Sequence, residues 1–338
     1  MKRIIIITGL IIFLLGLFSC ENQERDFADF DYTTTYFPYQ YPVRTIVLGD
    51  YYFDNTLDNE HKFLISVACG GGYGNKQNVT VNFTVDPDLA DGLYLSPGTQ
   101  QMFALPTNYY TLSNTSQITI PSGQISGSVV VQLNDNFFDD PLAIGNSYVV
   151  PLKITSSTTD SVLQGSTMLA DPDPRVVGDW VVAPKNFTLF CVKFVNEYQG
   201  NYLLRGKDVI SEGGDIDTTV VYRNKYVEKC EVVSVKTSAR RDVIYSNKIR
   251  PSGGNFEMVM TFDASGNATV TNTTKYPSAV ITGTGKFSKG TEKWAEIARD
   301  AIYLDYQIDV AGQIHNVKDT LVFRDKAVKM ETYVPVIK

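Results

Sequence analysis

Histidine and tryptophan are scarce here, two of each in 338 residues. So few imidazoles leave little material for histidine-based acid–base or metal chemistry. His61, after Asn59-Glu60, and His315, in an expected hairpin, both read as surface residues. The chain has no GxSxG nucleophile elbow, HExxH helix, Walker loop or dinucleotide fingerprint, which removes the commonest signatures of hydrolases and nucleotide binders. No Cys/His cluster has the spacing of a zinc site. Positive charge is in deficit, with 30 Lys and Arg against 37 Asp and Glu, a net −7. Nucleic-acid binding needs clustered basic residues, so no such partner is expected. Helical periodicity is missing from Tyr36 to Thr155.

What is present begins at the N-terminus. Lys2-Arg3 precede an apolar run, Ile4 to Phe18, that is too short for a good membrane span. Leu17-Phe18-Ser19-Cys20 has the form of a lipoprotein cleavage box, with Phe18 bulkier than usual. Residues 1–19 are therefore expected to be a signal peptide, Cys20 the lipidation site, and 20–35 a lipidated tether. The acid-rich Glu21 to Asp26 resembles the export signal of surface lipoproteins in Bacteroidetes-type bacteria, which implies an outer-membrane, lipid-anchored, cell-surface location. Of the remaining cysteines, Cys69 reads as a buried hydrophobe. Cys191 and Cys230 are the pair expected to share a domain; three free thiols are favoured, and a bond between those two stays open.

The rest is strand and turn. Asn78 to Val85 alternates strictly, Ser116 to Pro121 ends in a Ser-Gly turn, and Gly127 to Asn134 and Tyr148 to Thr155 add two strands. An immunoglobulin-like antiparallel β-sandwich is expected over 36–158. A polar linker, 159–175, ends in the stiff Asp171-Pro172-Asp173-Pro174. Residues 176–338 are expected to form a lipocalin-like antiparallel barrel. Within it, Val176 to Val182 reads as a core strand carrying Trp180, and Thr218 to Thr237 as one long bent run. Hairpins are expected at Asp263 to Asn267 and Ala311-Gly312, and a short helix at Glu292 to Asp300 with Trp294 on its apolar face.

Several segments fall in a familiar order: Tyr36-Phe37-Pro38, Val43 to Asp50, Leu105 to Tyr110, Ile120 to Gly123 and Tyr148 to Ile154, then Gly200-Asn201-Tyr202, Gly283 to Phe287, Arg299 to Tyr306 and Asp319 to Asp325. Together they resemble a two-domain family of Bacteroidetes-type surface lipoproteins from glycan-utilisation loci. The resemblance spans nearly the whole mature chain and rests on structural signatures. It implies a non-catalytic, glycan-binding accessory, with a sugar importer and partner lipoproteins of the same locus as partners. It fixes neither the sugar nor the binding residues.

Sugar rings pack their C–H faces on aromatic rings, and Tyr51, Tyr52, Tyr73, Tyr109, Tyr110 and Trp294 are the candidate contacts. The C-terminal domain, or the cleft between domains, is expected to meet the glycan. Asp160-Ser161-Val162 resembles an O-glycosylation triplet, making Ser161 a candidate for modification. Asn134 to Asp140 supplies hard oxygens that could hold a structural calcium, without EF-hand spacing; no other cofactor is expected. Glycoside hydrolysis would need two carboxylates about 5 to 9 Å apart across a groove, which sequence does not reveal, and it ranks last. An adhesin-like interaction protein is the main alternative.

Overall fold

The computed structural model of this protein describes residues 32–72 and 74–338. As expected, it is nearly all β, with sandwich-like sheets first and a closed eight-stranded antiparallel barrel after them. In the sandwich, one sheet runs in the order Ser161–Val162, Thr34–Tyr36, Lys62–Gly70, Ser126–Leu133, Tyr110–Leu112. The facing sheet runs Glu331–Thr332, Pro42–Val47, Phe187–Val195, Tyr148–Ser157, Val79–Val85, Gln117–Ile120. The strict alternation of Val79–Val85 puts Val79, Val81 and Phe83 into the core and turns Thr80, Asn82 and Thr84 outward. Each such buried side chain contributes about 1.5–3 kcal/mol.

The first five residues of Tyr148–Ser157 are buried on both faces of the sheet. Tyr148, Val150, Leu152 and Ile154 enter the sandwich core. Val149 points the other way, into a second apolar layer with Leu93, Met102, Leu189, Cys191 and Tyr333. A small sheet of Pro335–Ile337, Leu93–Leu95 and Gln100–Gln101 covers that side.

The sandwich does not end at the proline-rich linker. Phe187–Val195 pairs antiparallel with Tyr148–Ser157 and parallel with Pro42–Val47. Residues 331–337 then return after the barrel to pair with Pro42-Val43 and Leu93–Leu95. The barrel is thus an insertion between two sandwich strands. The expected linker at 159–175 marks a surface excursion, because strand pairing rather than composition decides where a unit closes. Just after it Val177–Asp179 is a 3-10 turn with Val177 and Val181 exposed, not a core strand. Trp180 donates its indole N–H to the Asp173 carbonyl.

The barrel order is Gly200–Glu212, Glu231–Thr237, Asp242–Lys248, Asn255–Phe262, Asn267–Asn272, Ala279–Trp294, Ile297–Val310, Gln313–Asp325, closed by the first and last strands. Asp215–Tyr222 pairs beside the first strand as an outlying hairpin partner. The run expected over 218–237 is therefore two strands, broken by a turn at Val227–Lys229. Hairpins form at Asp263–Gly266 and Ala311-Gly312 as expected. The helix expected at 292–300 is absent: Ala295 and Glu296, both at positive φ, close a tight hairpin. Spacing i, i+3 suits a helix face, but it also suits the two residues flanking a two-residue turn, and Trp294 pairs with Ile297. Met258, Met260, Phe262, Ile302 and Leu304 point inward, while Thr261, Thr269, Asp305 and Lys318 face out. That polarity is the reverse of a membrane-spanning barrel.

Two short crossings join barrel and sandwich. At the entry, buried Asn196 donates through Nδ2 to the Ala239 and Asp242 carbonyls and accepts from the Tyr198 and Gln199 N–H groups. At the exit, buried Lys326 donates to the Leu48 and Glu197 carbonyls. Arg240 on the barrel pairs with Asp135 and Asp139 on the sandwich, and Lys289 with Asp50. Cys191 and Cys230 lie in different units, and both are free, as is Cys69.

The barrel interior is filled, with polar groups among the apolar ones. Asp319, 2% exposed, accepts from Tyr222 at 2.5 Å and Tyr306 at 2.8 Å. His315 is wholly buried rather than at the surface, because its strand closes the barrel, and its Nδ1 lies 2.8 Å from Asp208. Burial pushes the Asp319 carboxyl up to about 6. Between its unfolded value of 3.8 and about 6 the folded state holds a proton that the unfolded chain has released. Stability from this group is therefore complete below about pH 4 and lost as pH rises through 6, on the order of 2–3 kcal/mol. Calorimetry from pH 4 to 7 should show Asp319→Asn gaining on the parent as pH rises; parallel curves would contradict this. Asn196→Ala should cost on the order of 3 kcal/mol in urea unfolding, since it strands several buried backbone groups.

Candidate functional site

After Pro42–Val47 the chain turns at Gly49, whose φ is +80° and whose added Cβ would lie 2.4 Å from Glu197 Cβ. Glycine is required there by both conformation and space. Three consecutive aromatics follow, Tyr51, Tyr52 and Phe53. Adjacent residues cannot all point into one core, and this loop leaves Tyr52 73% and Phe53 61% exposed. Their rings gather into one cluster, with centroids 4.5 Å apart for Tyr51–Tyr52 and 4.1 Å for Tyr52–Phe53.

The loop is laced to the strand it leaves. Asn55 Nδ2 donates to the Val47 carbonyl at 2.8 Å and the Gly49 carbonyl at 2.7 Å. Asp58 accepts from the Val47 N–H and pairs with Arg44. Asp54 accepts from the Thr56 N–H and hydroxyl, which hold its carboxyl below the usual range. Burial and the Tyr52 hydroxyl push Tyr51 up to about 12, so its hydroxyl stays protonated.

The cluster forms one wall of a groove of about 610 Å³, within the range of about 300–1,000 Å³ of small-molecule sites. Arg44, Thr45 and Val47 form its floor, and the segment Val328 to Glu331 its other wall. That segment is fixed at both ends, by buried Lys326 and by Tyr333, whose hydroxyl donates to the Leu189 carbonyl at 3.0 Å. Lys193 holds Glu331 at 3.0 Å.

Of the residues singled out in the sequence, Tyr51 and Tyr52 come together here. Cys20 and Tyr73 lie outside the described residues. The glycine-rich loop around position 73 lines a second cavity, about 450 Å³, with Gly70, Asn75 and Lys76. Tyr109 is half-buried and donates to Asp140. Tyr110 opens the strand Tyr110–Leu112 and is in the sandwich core at 7% exposure, so it offers no ligand surface. Trp294 packs on the outer barrel wall against Leu203, Cys230 and Val322, under the Arg299 guanidinium at 4.2 Å. Ser161 is half-buried in a short strand beside Thr34. The oxygens of Asn134 to Asp140 are engaged within the protein: Asp135 and Asp139 by Arg240, Asp140 by Tyr109 and Tyr148. Among the described residues no three His, Cys, Asp or Glu side chains converge as a metal site. A cavity between the units, about 400 Å³, is lined by His61, Arg240 and Glu197 and carries no exposed aromatic cluster.

Sequence reasoning missed Phe53, Arg44 and the wall at 328–331. The run of three aromatics after Gly49-Asp50 was the available signal for the first. Nothing local announces the wall, which arrives from the far end of the chain.

A family model described as a domain of unknown function (DUF5627) matches residues 197–327, the inserted barrel. A second, described as an N-terminal domain, matches residues 30–161. No curated protein matches the chain. An auxiliary nutrient binding protein from Bacteroides thetaiotaomicron aligns over 83% of this chain and 90% of its own, at 14% identity and a TM-score of 0.37, too slight a likeness to decide anything. A structural genomics protein of unknown function from Bacteroides ovatus is 39% identical, with a TM-score of 0.85, over 91% of this chain and 100% of its own. The chain belongs with that protein to a two-domain Bacteroidetes family in which the N-terminal domain is joined to DUF5627.

Proposed function

We propose that this protein is a glycan-binding accessory without catalytic activity, held by a lipid at Cys20 on the outer face of the outer membrane. The observation that carries the binding reading is the exposed Tyr51–Tyr52–Phe53 cluster on a rigid loop beside a groove with hydrogen-bonding edges. Aromatic faces accept the C–H faces of a pyranose, and Asp54, Asn55 and Glu331 offer acceptors to its hydroxyls. Pre-lacing of the loop lowers the entropy lost on binding. The contact surface is then on the sandwich and the returning tail, rather than on the C-terminal domain or the cleft expected from sequence. The groove carboxylates support a non-catalytic reading: Asp58 is committed to Arg44 and a backbone N–H, and Asp54 to Thr56. Confinement beside an importer would make weak affinity sufficient, because tethering raises effective concentration.

A second reading, as an adhesin-like interaction protein, is favoured by one feature. Among the described residues Asp215–Tyr222 has an unpaired outer edge, and it exposes Ile216 and Val221; such an edge can accept a further strand. Asp215 and Asp217 on the same strand oppose uncontrolled pairing.

Calorimetry with glycans found by array screening separates the two. Tyr52→Ala should weaken binding by about tenfold or more, the loss of about 1.4 kcal/mol or more. Asn55→Ala, which keeps all three rings but unlaces the loop, should weaken it by a smaller factor. Unchanged affinity in both variants would move the site elsewhere.

A further inference from the structure

We propose that the groove takes a neutral glycan and discriminates against uronate-containing or sulfated chains. This rests on the glycan reading above and specifies its ligand class.

The charged side chains lining the groove are Arg44, Asp54, Asp58, Lys329 and Glu331, three acidic and two basic. Recognition of a carboxylate or sulfate ordinarily uses a guanidinium fork or an ammonium held in place. Arg44 already has a structural partner, held through Nη2. It pairs with Asp58, whose side chain is 3% exposed and which also accepts the Val47 N–H. An anionic sugar that captured Arg44 would strand a buried carboxylate and loosen the turn that carries the three rings. Lys193, just behind the wall, is committed to Glu331. Lys329 makes no ion pair among the described residues, but it is an exposed, flexible side chain on the rim, worth little as a lone contact in solvent.

The hydrogen-bonding capacity left on three other lining side chains has the opposite character. Asp54 uses Oδ1 on Thr56, Asn55 uses Nδ2 on two carbonyls, and Glu331 uses Oε2 on Lys193. Asp54 Oδ2, Asn55 Oδ1 and Glu331 Oε1 remain, all acceptors. Sugar hydroxyls can donate to them; a carboxylate or sulfate cannot. The non-polar lining suits the same ligand, with the aromatic rings on one wall and Met330, 81% exposed, on the other.

The test is affinity electrophoresis and calorimetry of the purified protein against two panels. One is neutral (starch, xyloglucan, mannan) and one acidic (polygalacturonate, chondroitin sulfate), each at low salt and at about 1 M NaCl, where the Debye length is about 3 Å. The expected result is binding to a neutral glycan that salt changes by less than about twofold. Tyr52→Ala should lose about tenfold or more of it. Binding confined to the acidic panel, abolished by salt and by Lys329→Ala, would overturn the ligand class and leave the glycan reading standing. Binding to neither panel by protein with a parent-like melting transition would overturn both.

Discussion

The return of the chain from the barrel to the sandwich is the constraint on which the rest depends. Because the barrel is inserted after Phe187–Val195, the last residues must come back to finish the second sheet at Pro42-Val43 and to cover Leu93–Leu95. Without that return, Val149, Leu189 and Cys191 would lose Tyr333 and part of the layer that buries them. The same passage supplies one wall of the aromatic groove, so the groove depends on both ends of the polypeptide and on the junction that positions the barrel.

Lys326 anchors that passage. Burial lowers its ammonium to about 8, while Glu197, Asp300 and Asp50 oppose the shift. A lysine with that value remains mostly charged at neutral pH, and its buried charge is tolerable because two backbone carbonyls and three nearby carboxylates face it. Asn196 does the corresponding work at the entry with neutral hydrogen bonds. Together with the Arg240 pairs to Asp135 and Asp139, they join the units through directed polar contacts, which fix an orientation more sharply than an apolar seam would.

What could be read from the sequence follows from periodicity. Val79–Val85 was legible because one face is wet and one dry, and the turns at Asp263–Gly266 and Ala311-Gly312 because each ends in a glycine, at positive φ. Phe187–Val195 was not assigned to the sandwich, since a strand buried on both faces has no alternation to show its partner. Residues 331–337 form strands of two and three residues, too short to carry a pattern. Of the candidate aromatics, Tyr51 and Tyr52 were legible as a group. Tyr109 and Tyr110 look identical in sequence, yet Tyr109 ends a 3-10 turn and lies half-buried against the core, while Tyr110 opens a strand and enters it.

The barrel interior explains why the search for a ligand site leads outside it. Barrels of eight strands are just wide enough to be filled by side chains or to hold one small ligand, and the choice lies with the residues that point inward. Here Tyr202, Tyr245, Phe256 and Tyr306 take the space, and the void beside Asp208 and Tyr222 is about 10 Å³, room for about one water. The buried Asp319 and the Asp208–His315 pair make emptying this interior costly, because their hydrogen-bond partners are neighbours that also fill the barrel. A barrel packed this way serves as a rigid body, and recognition is left to what projects from the sheets. Of those projections, the Tyr51–Phe53 loop combines exposed rings with a backbone tied down at Val47 and Gly49.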